Sequence, residues 1–342
     1  MNSIKILKGG LFTTIQDKGR WNYQRFGMSV AGAMDHFAMR IANMLVDNDE
    51  YSAVLETTFL GPEIEFCCDE IIAITGANMS PKINGEAIQM WTSILVEEGD
   101  KLSFSGAING VRTYISFSRG LDVPEIMGSK STFVRGNLGG LEGRKLTNGD
   151  EIPLGKRELS SKGSYLRDKD TPIYTKDNNI RVVLGPQDDH FTDEALETFL
   201  NSSFVITSEA DRMGYRLDGP KIAHKTGADI ISDGIVFGSI QVPGHGSPIL
   251  MMADRATTGG YTKIATVITP DLSTLAQMGP GSSITFEKTS VYDSHKIYKE
   301  YQNKFEDIKK SIKENKFEFD KNLLFNLNMF GKGFSVTVRE IE

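Results

Sequence analysis

IIAITGANMSPKINGEAIQMWTSILVEEGDKLSFSGAINGVRTYISF, residues 71–117, opens and closes on short runs of β-branched and aromatic side chains, at 71–75 and 113–117. Between them stand two turn signals, Asn84-Gly85 and Glu98-Gly99-Asp100. Side chains branched at Cβ favour extended backbone, and Asn-Gly supplies the positive φ angles of a tight hairpin. The same grammar returns at 180–184 and 283–286, with Asn148-Gly149-Asp150 as a further turn and 34 glycines spread along the chain. Alternating βαβ units need a helix between successive strands, and few helices compete here. The fold class is therefore mainly β, built as barrels or sandwiches.

At 342 residues the chain exceeds what one hydrophobic core usually serves, so two domains are expected. The charged stretch 158–170, followed by Thr171-Pro172, holds little that can be buried and reads as a linker or hairpin arm. This places one domain at 1–170 and a second at 171–342. A hydrophobic content of 39% with 24% charged residues is that of a soluble globular protein. The net charge of -7 repels phosphates and argues against nucleic acid as a partner. No apolar stretch reaches the length of a signal peptide or of a membrane span of about 18 residues, so a cytoplasmic location with no membrane partner is expected. Cys67 and Cys68 are adjacent, which disfavours a bridge between them and lacks the spacing of a metal site; they read as reduced strand or core residues.

Three helices stand out. Met34, Phe37, Ala38, Ile41, Ala42 and Leu45 share one face of a helix over 34–46, ended by Asp47 and Asn48. A short second helix starts at Thr192, whose hydroxyl can cap it, and buries Ala195, Leu196, Phe199 and Leu200. A third, over about 292–316, carries the stripe Ile297, Tyr301, Phe305, Ile308 and Ile312, expected to pack on its own domain. Beyond it, a polar tail at 314–328 reads as surface, and Phe334, Val336 and Val338 alternate like a closing strand.

Four segments combine glycine with polar side chains that are costly to bury unpaired. In residues 9–43, Gln16, Asp17, Arg20 and Gln24 bring an amide, a carboxylate and a guanidinium together; Arg20 can clamp a carboxylate or phosphate, or the group merely ties a loop to a barrel. In 128–150, Gly128-Ser129-Lys130-Ser131 lacks the adjacency of a Walker loop, leaving Ser129, Lys130, Ser131, Thr132 and Arg135 as an anion site or a turn-rich surface loop. In 208–220, Asp211, Arg212, Tyr215 and Arg216 crowd around Gly214 and are expected to satisfy one another. In 238–281, a strand ending at Gln241 leads through Pro243-Gly244-His245-Gly246 to Asp254, Arg255 and then Thr258, Gly259, Gly260 and Tyr261. Glycines there let backbone amides approach a ligand closely. The five histidines are scattered and no Gly-x-Ser-x-Gly elbow occurs, so neither a metal site nor a serine triad is expected. No Ala-Met-Lys-Met sequence is present to carry covalent biotin.

These segments stand as TTIQDKGR, GAMDHFAMRIAN, LETTFLGP, GSKST, GPQDDHF, SEADRMGYRLDGP, GSIQVPGHGSPI and ADRATTGGYTKIA. In that order the chain resembles the family of the KipI antagonist, the C-type component of 5-oxoprolinase and allophanate hydrolase subunit 2, which is also half of the carboxyltransferase region of urea carboxylase. It departs from the family pattern at Arg119-Gly120, Gly246-Ser247 and Thr262, the first two near ligand loops.

The resemblance implies two cyclophilin-like β-barrel domains with a few short helices and a C-terminal helix. It implies a subunit of a hydrolase that opens the cyclic amide 5-oxoproline to glutamate, with ATP used by the complex. The implied partners are a KipI-like subunit, a LamB/YcsF-like subunit and a small-molecule substrate, with the isolated chain inactive. Two other readings stay open: the carboxyltransferase component of a biotin-dependent carboxylase, and a non-enzymatic antagonist of a KipI-like kinase inhibitor. Under the hydrolase reading, Arg255 or Arg212 handles carboxylate or phosphoryl charge and Asp254 or Asp211 positions water or substrate. Gln241, Thr258, Gly259, Gly260 and Tyr261 then wall the pocket, with Gln16, Asp17 and Arg20 contributing to substrate binding.

Overall fold

The computed structural model of the chain describes residues 2–319. The chain is mainly β. In its first half, strands fall into a six-stranded and a five-stranded sheet. Their facing sides share one core of Ile4, Ile6, Ile15, Leu55, Phe66, Ile72, Ile74, Ile115 and Phe117. The hairpin expected at Asn84-Gly85 is present: both residues have positive φ, and they join Lys82–Ile83 to Glu86–Ala87. The four strand cores expected from side-chain type lie within Glu70–Asn78, Asn109–Phe117, Asp177–Leu184 and Ser283–Lys288.

Strand Glu70–Asn78 is buried at every position but its last, which alternation alone does not explain. Its second face is covered by helix α1, His36–Leu45, so Ile71 and Ala73 pack with Ala38, Ile41, Ala42 and Leu45. Asp35 caps α1, its carboxylate accepting from the Ala38 amide at 3.0 Å.

The second half closes into a seven-stranded barrel, shut by the parallel pair Asp177–Leu184 and Ser283–Lys288. Its interior holds Ile180, Val182, Phe204, Ile206, Leu217, Ile240, Leu250 and Phe286. Helix α2, Asp193–Asn201, is capped by the Thr192 hydroxyl as expected and stacks Phe199 on Phe286 with centroids 4.5 Å apart. A two-stranded ribbon, Asp229–Gly234 with Thr258–Tyr261, stands apart from the barrel ladder. After the short helix α3, Leu272–Ala276, comes the long helix α4, Val291–Glu314.

Two expectations are corrected. The stripe of α4 does not pack on the second half alone: Phe305, Ile308 and Ile312 enter the cluster built on α1, and the Arg40 guanidinium lies 3.5 Å from the Phe305 ring centroid. The apolar face of α1 left over by the sheet gives that stripe a surface on which to bury itself. Nor is 158–170 free of buried groups. Lys162–Ser164 pairs with Lys316–Glu318, and Leu166 is buried beside α1 and α4. The strand expected at Phe334, Val336 and Val338 lies outside the described residues. Among the described residues, no helix is long and apolar enough to cross a membrane.

Candidate functional site

Arg212 precedes strand Gly214–Asp218, and its side chain runs inward with 7% of its surface exposed. It grips Asp254 with two prongs, Nε to Oδ2 at 3.1 Å and Nη2 to Oδ1 at 2.9 Å. Its Nη1 donates to Glu56 Oε1, and Nη2 also donates to the Gly32 carbonyl at 2.6 Å. The other Glu56 oxygen accepts from the Met34 amide and the Tyr114 hydroxyl, each at 2.8 Å. One guanidinium from the second half therefore ties together three segments. Burial alone would lower its pKa, but Asp254 and Glu56 more than reverse this. Burial pushes the Asp254 carboxyl up, against the pull of Arg212.

The crowded side chains of 208–220 satisfy one another only in part. Asp211 lies at the surface against Arg135 at 2.9 Å, Arg216 pairs with Glu209, and the Tyr215 hydroxyl accepts from Arg112 at 2.7 Å. The reason is strand geometry: successive residues point to opposite faces, so neighbours in sequence have different neighbours in space.

The N-terminal loop reaches the same region. Asp17 is the anion held by the 128–132 loop: its carboxylate accepts from Ser129 Oγ at 2.6 Å, Ser131 Oγ at 2.5 Å, the Lys130 amide at 2.6 Å and the Gly19 amide at 2.8 Å. Of the five residues considered for an anion site, Ser129, Lys130 and Ser131 hold the chain's own Asp17 carboxylate, while the Thr132 hydroxyl donates to the Ile15 carbonyl and Arg135 pairs with Asp211. Arg20 is fully buried and donates through Nη2 to the Ser131 carbonyl, while its Nε and Nη1 have no protein partner among the described residues. Gln16 donates to Thr14 and to the Thr132 carbonyl, leaving its Oε1 unpaired among the described residues.

Arg255 is also buried, with three long hydrogen bonds of 3.3–3.4 Å to the carbonyls of Ile235, Met252 and Ala253. Burial lowers its pKa to about 10, offset in part by Asp254. Burial likewise lowers Arg20, offset by Asp17 and by Asp254. Asp254 therefore lies within Coulombic reach of three arginines from separate segments, of which it pairs directly with Arg212 alone. This is where the N-terminal loop and the 241–261 segment converge. Its chemical capacity is cationic: the buried guanidiniums of Arg20, with two nitrogens unpaired among the described residues, and Arg255, with only long contacts, suit an incoming carboxylate or a developing oxyanion.

Thr258, Gly259, Gly260 and Tyr261 form one strand of the ribbon, and Gln241, at the end of a barrel strand, packs against Gly259; Ile235, whose carbonyl accepts from Arg255, lies against the same glycine. A Cβ on Gly259 would fall 2.7 Å from Gln241 Nε2, so this glycine admits the chain's own amide rather than a ligand. Thr258 and Tyr261 are exposed. Next to Gln241 in the ladder stands Lys263, whose ammonium contacts Asp233 at 2.8 Å. A separate polar cleft of about 440 Å³ runs beside Asp17, with Lys18, Arg119, Lys130 and Arg157 on its walls.

Motif-scale patterns do not single out Glu56 and Lys263, though each carries a signal. Glu56 stands inside LETTFLGP, where a charged residue in an apolar strand is the mark; Lys263 interrupts the run toward Val267 in the same way.

The arrangement, a closed barrel joined to a two-sheet unit, is a fold shared with carboxyltransferase-type domains. The carboxyltransferase domain family, subdomains A and B, matches residues 26–288, and the chain belongs to that family. It is 36% identical to the C-type component of 5-oxoprolinase from Escherichia coli over 305 residues, covering 89% of this chain and 97% of that one. It is 33% identical to the component of the same name from Haemophilus influenzae, over 88% of this chain and 96% of that one. Among solved structures, the Kluyveromyces lactis urea carboxylase superposes with a TM-score of 0.84 at 30% identity, over 94% of this chain but 30% of that one.

Proposed function

We propose that this chain is the C-type component of a multi-subunit, ATP-dependent 5-oxoprolinase that opens 5-oxoproline to glutamate together with a KipI-like and a LamB/YcsF-like subunit. The observation that carries the reading is the length of the match. The chain and the two bacterial C-type components of 5-oxoprolinase correspond almost end to end, whereas yeast urea amidolyase is matched over 17% of its length.

The chemistry agrees with the cationic locus. A lactam is stabilised by amide resonance, and water attacks it slowly. Transfer of the γ-phosphoryl group from ATP to the lactam oxygen releases ADP and activates the ring carbon; one water adds to that carbon, the carbon–nitrogen bond breaks as the nitrogen takes a proton and leaves an acyl phosphate, and a second water hydrolyses the acyl phosphate to carboxylate and phosphate. Each stage carries negative charge that buried guanidiniums can meet. Arg20 has Nε and Nη1 unpaired among the described residues and Arg255 is held only by long contacts to carbonyls, so both are open to this role, while Arg212 is committed to Asp254 and Glu56. In this reading Asp254 orients the arginines around it, and Asp211, exposed beside Arg135, faces a partner subunit.

The test is reconstitution. The three subunits, purified together, are expected to release ADP and glutamate only when 5-oxoproline is added, and omission of this chain is expected to abolish glutamate release. A complete mixture that forms no glutamate overturns the proposal. The likeness to urea carboxylase favours a second reading, a carboxyltransferase component. It requires that a carboxylated biotin carrier be discharged in the presence of this chain.

A further inference from the structure

Lys263 lies in strand Lys263–Val267, hydrogen-bonded in the barrel between Asp177–Leu184 and Ser239–Gln241. Its side chain is 4% exposed. An ammonium so far from water needs a counterion, because the desolvation cost of an unpaired buried charge is several kcal/mol. Among the described residues its ion-pair partner is Asp233, and that side chain is 52% exposed.

The two partners differ in how firmly they are held. Lys263 is fixed: Gly185 passes so close that a Cβ there would fall 2.1 Å from the Lys263 carbonyl, and Gln187 Oε1 accepts from the Lys263 amide at 3.2 Å. Asp233 comes from the ribbon strand Asp229–Gly234, mostly exposed and paired only with Thr258–Tyr261 through a register shift between Asp229 and Asp233. Such a bulge aims a side chain without anchoring it to the core. Gln187 completes the seat, its Nε2 lying 3.4 Å from the same Asp233 oxygen that Lys263 holds.

We propose that the barrel mouth beneath the ribbon is a binding site for a small carboxylate, with Lys263 and Gln187 as its donors and Asp233 as a built-in occupant that the ligand displaces. The seat is rigid, the occupant is on a solvent-exposed arm, and what the seat already holds is a carboxylate oxygen. That chemistry fixes the ligand class. Phosphate gains less, since the seat holds one ammonium, which matches the single charge of a carboxylate and leaves the further charge of phosphate unmet. Lys263 also holds the Asp233 carboxyl below its ordinary range, so the occupant is ionised and competes as an anion throughout the neutral range. The site is distinct from the arginines around Asp254, and it stands whether or not the chain acts on 5-oxoproline.

The test uses the full chain alone, without ATP or partner subunits, titrated with acetate and with 5-oxoproline at constant ionic strength, inorganic phosphate being the comparator. Asp233→Asn removes the competitor on an exposed arm and is expected to tighten carboxylate binding at least fivefold over the parent. Lys263→Met, checked for folding by circular dichroism, is expected to abolish binding, and Lys263→Arg to retain it. The proposal is overturned if folded Asp233→Asn binds carboxylates no tighter than the parent, if folded Lys263→Met binds as the parent does, or if phosphate gains as much from Asp233→Asn as acetate does. Failure of the reconstituted hydrolase leaves these titrations untouched, so the two readings fail separately.

Discussion

His36, the first residue of α1, is partly buried beside Glu56, Arg40 and Arg212, and burial pushes its imidazole down to about 4. Glu56 pulls the other way and Arg40 reinforces the shift. In the unfolded chain the same group titrates near about 6.5. Between those values the unfolded state binds a proton that the folded state refuses, so folding stability is fully present above about 6.5 and is lost as pH falls toward 4. The size of that loss is on the order of 3 kcal/mol. A His36→Gln chain is expected to lack this part of the acid sensitivity, seen as a smaller drop in urea midpoint between neutral and acidic buffer than the parent shows. Equal drops in both chains would show that His36 is protonated when folded. None of this is legible from residue type, because a histidine at a helix start titrates normally unless the second half of the chain covers it.

At the level of elements, whatever depends on near neighbours is legible in the sequence. The caps and apolar faces of α1 and α2 depend on residues within a few positions of each other, and Thr192 and Phe199 do in space what their spacing implies. The Gly185-Pro186 element shows the limit. As sequence it is a Gly-Pro element in a strand context; in space Gly185 is the point where one barrel strand ends against the Lys263 carbonyl. Adding a methyl group there pushes on backbone rather than on a flexible side chain. Gly185→Ala is therefore expected to cost about 2 kcal/mol, within the range for overpacked sites, and to raise amide exchange along Lys263–Val267 first. Hydrogen exchange followed by mass spectrometry reads that order. A uniform increase across both halves would place the strain elsewhere. The destination of α4 is hidden for a related reason. Its stripe shows that a face is buried but not which surface covers it, and α1 lies far earlier in the chain, beyond any local pattern.

At the scale of the whole molecule, the residues singled out for chemistry turn out to hold the two halves together. Met34 extends from the first half into the barrel core, and Gln277 accepts from the Val111 and Arg112 amides while donating to Asp35 and to the Arg112 carbonyl. Arg212 spans the same seam from Asp254 to Glu56. The density of polar groups in 208–220 coincides with one buried, paired charge at Arg212, but density does not separate a catalytic cluster from a brace, since both demand buried charges that are paired. Pairing across the seam has an energetic signature. Removing the guanidinium leaves two carboxylates facing each other without water, a change that typically costs about 3–5 kcal/mol. Because Glu56 of the first half has its buried charge met by Arg212 of the second, the parent chain is expected to melt in one calorimetric transition. Arg212→Met is expected to lower that transition and to split it, the barrel and the two-sheet unit unfolding at separate temperatures. Arg212→Lys should recover little, because a single ammonium cannot grip Asp254 with two prongs while reaching both Glu56 and the Gly32 carbonyl. If the Met variant still melts in one transition near the parent temperature, the seam is held by apolar contacts such as Met34, and the arginine is free for work on a substrate.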